Sequence, residues 1–429
     1  MKQLNSTVQH RFKSIKTIIG PGILVAATGV GAGDLATGAL AGSNLGLAIA
    51  WAVLLGAFFK YVLSEGLARW QLASGKSLLL GVMIHLGRPV QWFFFGYLII
   101  WTFLVAAALM SACGAAAHAL LPFFQKADTG KIVFGIASSV LGLSLVRVGG
   151  YRLFEKVMSV CIGVMFITVC LAAWKLKPVM SDLLSGMFIP SIPDLSQQGI
   201  GWTVALIGGV GGTVTLLCYG YWIREEGRTQ IEELNTCRID LGVGYLMTAG
   251  FGIAMIVIGS RIQVEGRGAG LIIQLADQLK EPLGQTGRWA FLLGAFGAVF
   301  SSLLGVWQSV PCLFVELIRI MRNENTEPSD SNQNLDPTRS VWYGRVGLMI
   351  TVLPMIGLLV GFSRVQKVYA VTGALFVPMM AIALLVLNNN EEWLGKENRN
   401  RIFSNTALVA ILGFFIYVGC LTAKKVLGG

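Results

Sequence analysis

The chain has 429 residues, of which 55% are hydrophobic and 13% charged, and its mean hydropathy is +0.69. A soluble domain carries about 25% charged residues, so a water-covered enzyme is excluded and a polytopic helical membrane protein is expected. The net charge of +11 does not point to nucleic acid, because the basic residues sit in loops between apolar runs.

A helix needs about 20 apolar residues to cross a hydrocarbon core roughly 30 Å thick. That measure gives eleven spans, at roughly 17–44, 46–71, 90–121, 132–147, 152–175, 202–226, 239–261, 287–318, 341–362, 366–388 and 403–424. The first is read as an uncleaved span. Between spans 7 and 8, segment 265–284 carries Leu271, Ile272, Leu275 and Leu279 at helical spacing and is expected to be a surface helix. Segment 323–340 is polar enough to be a disordered connection. The organisation expected is one five-span repeat over 1–175, a second over 202–388, and a loop with an eleventh span over 389–429.

With the N-terminus inside, the inner segments hold 20 Lys and Arg and the outer ones 12, while Lys60 lies within span 2. The bias predicts a cytoplasmic N-terminus and an outside C-terminus in a bacterial inner or plasma membrane. The seven cysteines are scattered and form no C-x-x-C pair, which supports neither a zinc knuckle nor a disulfide framework.

Two spans look interrupted. Span 1 contains Gly29-Val30-Gly31-Ala32-Gly33-Asp34 and span 6 contains Gly208-Gly209-Val210-Gly211-Gly212-Thr213. Glycine clusters permit either close helix packing or unwound backbone at mid-membrane depth. Their offset of five spans favours the second, as in an inverted-repeat transporter. Asp34 is the most informative acid: a carboxylate at this depth requires a partner, a proton or a bound cation, unless it only caps the second half of span 1. Thr213, Thr215 and freed carbonyls near Gly31 and Gly211 complete an all-oxygen set, which suits hard cations such as Mg²⁺ or Mn²⁺. Cys218 is a soft ligand or a small hydrophobe. Gln308, Ser301, Ser302, Tyr369 and Thr372 either line a cavity or bond neighbouring helices. Glu65 and Arg69 read as a structural i,i+4 pair, and Glu316 with Arg319 as a similar one. The only histidines are His10, His85 and His118, none near a break, so no proton relay can be assembled. No P-loop, nucleophile elbow or H-E-x-x-H is present. Transport without a resident cofactor is the class that remains.

A resemblance then becomes specific. Gly20-Pro21-Gly22-Ile23-Leu24-Val25, Ala36-Thr37 and Ala41-Gly42-Ser43 resemble the first span of the Nramp family of divalent-metal transporters. Glu65, Ala68, Arg69 and Ser74-Gly75-Lys76 resemble its second span, and Gly212-Thr213-Val214 its sixth. The resemblance implies a LeuT-like fold of two inverted five-helix repeats plus an eleventh helix, with helices 1 and 6 broken. It also implies a divalent metal ion as transported substrate and the bilayer as the surroundings. The family's Asp-Pro-Gly-Asn falls on Gly31-Ala32-Gly33-Asp34, and its Met-Pro-His on Thr215-Leu216-Leu217. The site is thus altered, with a carboxylate kept but displaced by three residues.

The function expected is a secondary transporter of Mg²⁺ or Mn²⁺ working by alternating access without proton coupling. Metal contacts are expected from Asp34, Gly31, Thr215 and Gly211. Gly29, Gly33, Gly208, Gly209, Gly212, Thr213, Cys218, Gln308, Tyr369 and Thr372 are the candidate path or hinge positions. The alternatives are an ion-coupled symporter of a small organic solute such as an amino acid, and a receptor that keeps the fold without transporting.

Overall fold

The computed structural model describes residues 20–194, 197–261, 271–322 and 337–427. Among these residues the chain is helical, with nine apolar helical stretches long enough to cross a membrane. Two of them each contain two of the predicted spans or span segments: 34–74 holds the second half of span 1 and span 2, and 127–175 holds spans 4 and 5. The helix Ala127–Lys175 turns at Gly150, whose φ of 61° and ψ of −175° lie in a region that essentially only glycine occupies. That single residue separates two spans joined by no real loop.

Spans 1 and 6 are broken. Span 1 runs as Pro21–Gly29 (1a) and Ala32–Leu45 (1b). Pro21 sits in the first turn of 1a, where a missing N–H costs nothing. Span 6 runs as Gln197–Gly209 (6a), continues after a gap as a 3₁₀ turn over Val214–Cys218, and closes with Tyr219–Glu225 (6b). Gly211 and Gly212 in the gap have φ of +80° and +88°, where a Cβ is strained.

Span 2 is Ala50–Ser74, span 3 Arg88–Leu120, span 7 Leu234–Ser260 and span 11 Ile402–Leu427. Span 8 lies within Leu271–Met321, span 9 in Val341–Leu359, and span 10 in Phe362–Leu387. The helix expected over 265–284 is observed from Leu271 and bends into span 8 at Gly284, again with φ +69° and ψ −175°. It is more buried than a surface helix, since Ile272, Leu275, Ala276 and Leu279 are almost wholly covered. One apolar stripe at i, i+3, i+4 and i+7 packs onto the core while Lys280 and Glu281 face out. Residues 265–270 of that segment, and 323–336 of the predicted disordered connection, lie outside the described residues; 337–339 form a 3₁₀ turn.

Small residues let the central spans touch backbone to backbone. A Cβ on Gly42 would lie 2.9 Å from the Ile256 Cα, and one on Gly259 2.8 Å from the Ala39 Cα, so spans 1b and 7 approach closely along their length. Trp70, Trp101, Trp222 and Trp307 are fully buried, and each indole N–H finds an acceptor. Apolar side chains such as Ile100, Val148, Ile167 and Leu246 are exposed on the perimeter, as lipid-facing positions require.

Candidate cation site between the two breaks

The two breaks meet at the centre of the molecule. A Cβ on Gly29 would come within 2.8 Å of the Gly211 carbonyl oxygen. Unwinding a helix frees carbonyls that must be satisfied internally at this depth, and the two breaks solve the problem differently. At the end of 1a, span 8 supplies hydroxyls: Ser301 and Ser302 each donate to the Ala27 carbonyl at 3.1 Å, and Ser302 also reaches Thr28 at 3.0 Å. At the end of 6a, span 2 supplies an ammonium: Lys60 Nζ donates to the Gly208 carbonyl at 2.8 Å and the Gly212 carbonyl at 2.6 Å. Lys60 is fully buried.

Asp34 stands in the first turn of 1b, where the aligned peptide dipoles favour a carboxylate. Its described hydrogen bond is not to its own helix. Oδ2 accepts from the Gly211 N–H across the gap, at a long 3.4 Å. The carboxylate therefore belongs to the space between the breaks and does not act as a simple cap.

A cavity of about 20 Å³ opens beside it, bordered by Thr28, Gly31, Thr37, Thr213, Thr215 and Ser302, with Gly29, Gly209 and Tyr369 also on its wall. That volume holds one or two water centres. Among the described residues no three His, Cys, Asp or Glu side chains converge on a point. The site is one carboxylate amid hydroxyls and backbone. Thr213 Oγ1 is positioned by the Trp101 indole at 3.1 Å. Thr28 Oγ1 is buried and has no hydrogen-bond partner, although it lies on the cavity wall.

Of the candidate positions, Asp34, Gly31, Thr215, Gly29, Gly209, Thr213 and Tyr369 border this cavity. Gly211 reaches it through its N–H to Asp34, Gly208 and Gly212 present their carbonyls to Lys60, and Gly33 lies in the first turn of 1b. Three others are not on this cavity wall. Gln308 accepts from the Trp222 indole at 3.0 Å, the Thr372 carbonyl accepts from the Tyr97 hydroxyl, and Cys218 is buried against Ser309. These bonds follow the usual fate of polar groups in packed spans. The sequence reading passed over Thr28 and Thr37 as ligands and Lys60 as a site element. A lone ammonium inside span 2 is the signal that points to Lys60. No comparable signal marks the two threonines.

Away from the cavity, Glu65 holds Arg69 at 3.2 Å and also Arg238 of span 7 at 2.8 Å, with Asn400 bonding Arg69 at 2.8 Å. Glu316, expected to pair with Arg319, bonds side chains on other segments. It accepts from the Ser77 and Tyr221 hydroxyls, tying span 8 to span 6b. At the start of 1a the Gly20 N–H donates to Asp240 Oδ1 at 3.1 Å, while Tyr219 and Arg228 donate to Oδ2 at 3.2 and 3.0 Å. Asp240 thus fastens the head of span 1a, span 6b and the following loop to span 7.

The family described as natural resistance-associated macrophage protein-like (Nramp) matches residues 22–423. An uncharacterised protein of Pasteurella multocida is 24% identical, with 73% of each chain covered. The divalent metal cation transporter MntH of Mycobacterium tuberculosis is 23% identical, covering 83% of this chain and 87% of that one. Variants of a manganese transporter from Eremococcus coleocola share the fold at TM-score 0.76 and 16% identity, covering 97% of this chain and 88% of theirs. MhsT in complex with L-phenylalanine shares it at TM-score 0.60 and 16% identity, covering 91% and 95%. Both likenesses establish the LeuT-like arrangement.

Proposed function

Since this chain belongs to the Nramp family, we propose that it carries a divalent cation across the membrane by alternating access, with Asp34 as its anionic ligand. The observation that supports this reading is one buried carboxylate facing hydroxyl groups in a small cavity between two unwound helices. A space of about 20 Å³ suits an ion with a water. The donors are all oxygen, which favours Mn²⁺ or Mg²⁺ over softer metals. Thr215 stands where the family's sulfur ligand falls, which removes a preference for soft ions. Thr28 and Thr215 hydroxyls and the Gly31 region complete the shell.

No histidine lies on the cavity wall, so the reading is a carrier driven by the cation gradient and membrane potential, with its N-terminus in the cytoplasm. The two repeats, 1–175 and 202–388, would rock about the fixed site. The test is Mn²⁺ and Mg²⁺ flux into proteoliposomes with internal pH followed in the same vesicles. Wild-type flux lost in Asp34→Ala, with internal pH constant, is the expected result. Absence of flux for both ions from folded, inserted protein would overturn it, and acidification in step with flux would overturn the uncoupled mechanism.

A further inference from the structure

At the span 6 break two backbone carbonyls converge on one side-chain ammonium. Span 6a ends at Gly209, so the Gly208 carbonyl is one of the end groups that carry the negative pole of the helix dipole. The left-handed backbone at Gly211 and Gly212 turns the Gly212 carbonyl towards the same point. Lys60 Nζ lies 2.8 and 2.6 Å from these two oxygens. Across the gap Asp34 holds the Gly211 N–H, so both side chains meet the same short stretch of span 6 backbone. Carboxylate and ammonium therefore bind alternate peptide groups at the break: Lys60 takes the Gly208 and Gly212 carbonyls, and Asp34 the Gly211 N–H between them. Unwound carbonyls at the C-terminal end of a half-helix are the groups that coordinate small cations in broken-helix carriers.

We propose that the Lys60 ammonium is a resident cation: it occupies a carbonyl cage that otherwise takes a small monovalent cation, and it shares the field of Asp34 with the cargo. The first part stands on the cage geometry alone. The second rests on the reading of Asp34 as the cargo's ligand. A tethered ammonium makes the carrier independent of a free monovalent co-ion and holds down its affinity for a doubly charged cargo.

The experiment measures thermal stability of purified wild type, Lys60→Ala and Lys60→Met in detergent, with NaCl or KCl raised from 1 to 100 mM against choline chloride. Choline controls ionic strength and is too large for the cage. Wild type is expected to respond equally to all three salts. The variants are expected to gain about 2 °C or more in Na⁺ or K⁺ over choline, by mass action at a millimolar site. A folded variant with no such difference overturns the cage. Variants that cannot be purified in any of these salts overturn it too, because an open cage would be refilled by a free cation.

Mn²⁺ binding in the choline samples, where no small cation can refill the cage, tests the shared field. Removing a nearby positive charge is expected to tighten Mn²⁺ binding tenfold or more, and unchanged affinity overturns that part. If Asp34→Ala leaves Mn²⁺ binding intact, the cargo reading fails while the stability result still decides the cage.

Discussion

At the residue scale, the centre of the molecule depends on side chains that are absent. Gly31 faces Ser302 so closely that a Cβ would lie 2.8 Å from the serine Cβ. Gly31→Ala is expected to lower cation flux at least tenfold without loss of inserted protein, because the break must shift away from Ser302. Combining it with Ser302→Gly, which removes the opposing atoms, is expected to recover part of the flux in the same vesicle assay. Thr28 supplies a different kind of prediction. Its buried hydroxyl has no partner within the described residues, and such groups carry a desolvation cost of about 1–3 kcal/mol that a ligand removes. Thr28→Val is therefore expected to weaken Mn²⁺ binding about fivefold, while Thr28→Ser retains it, as isothermal calorimetry would show.

At the element scale, the spans are joined by backbone geometry as much as by loops. Gly150 and Gly284 both adopt φ above +60° with ψ near 180°, and both have open space where a Cβ would go. Any loss on substitution thus comes from the backbone alone. Gly150→Ala is expected to destabilise the protein by about 1–3 kcal/mol, read as a lower melting temperature with unchanged insertion. The sequence shows Gly149-Gly150 between two apolar runs and so locates this boundary well. It shows nothing comparable at Gly284, a glycine four residues beyond Lys280 in a polar stretch. For that reason the helix beginning at Leu271 reads as a separate surface element, although its apolar stripe is buried and it joins span 8 directly through the bend at Gly284.

At the scale of the whole molecule, the alternating access proposed above would act on the contacts that tie the broken spans to their neighbours. Asp240 is fully buried and joins the Gly20 N–H, Tyr219 and Arg228. Asp240→Asn breaks the buried pair with Arg228, a change worth about 3–5 kcal/mol. The head of span 1a is then expected to release. Cys237 is a native reporter, being free and fully buried beside Arg228. Its alkylation by a soluble maleimide, followed by mass spectrometry, is expected to rise at least fivefold in Asp240→Asn. Unchanged labelling would mean that Asp240 does not hold the head of span 1a in place.

The sequence by itself determined the membrane class, the number of spans, the two breaks and the buried acid between them. Each is written in local chemistry: apolar runs of membrane length, glycine clusters that helices do not tolerate cheaply, and one carboxylate at a depth where charge needs a reason. It also carried the family likeness, because spans 1, 2 and 6 keep their small-residue and charged spacing. What only the tertiary structure decided is which groups answer the breaks. Ser302 on span 8, Lys60 on span 2 and Asp240 on span 7 are 274, 152 and 220 residues from their respective partners Thr28, Gly212 and Gly20. Periodicity along one helix states which residues share a face, but not which distant backbone that face will meet. The same limit separates Gln308, Thr372 and Cys218, which lie off the cavity wall, from Thr28 and Thr37, which border it. All five are polar or soft groups in apolar spans, and only packing assigns their roles.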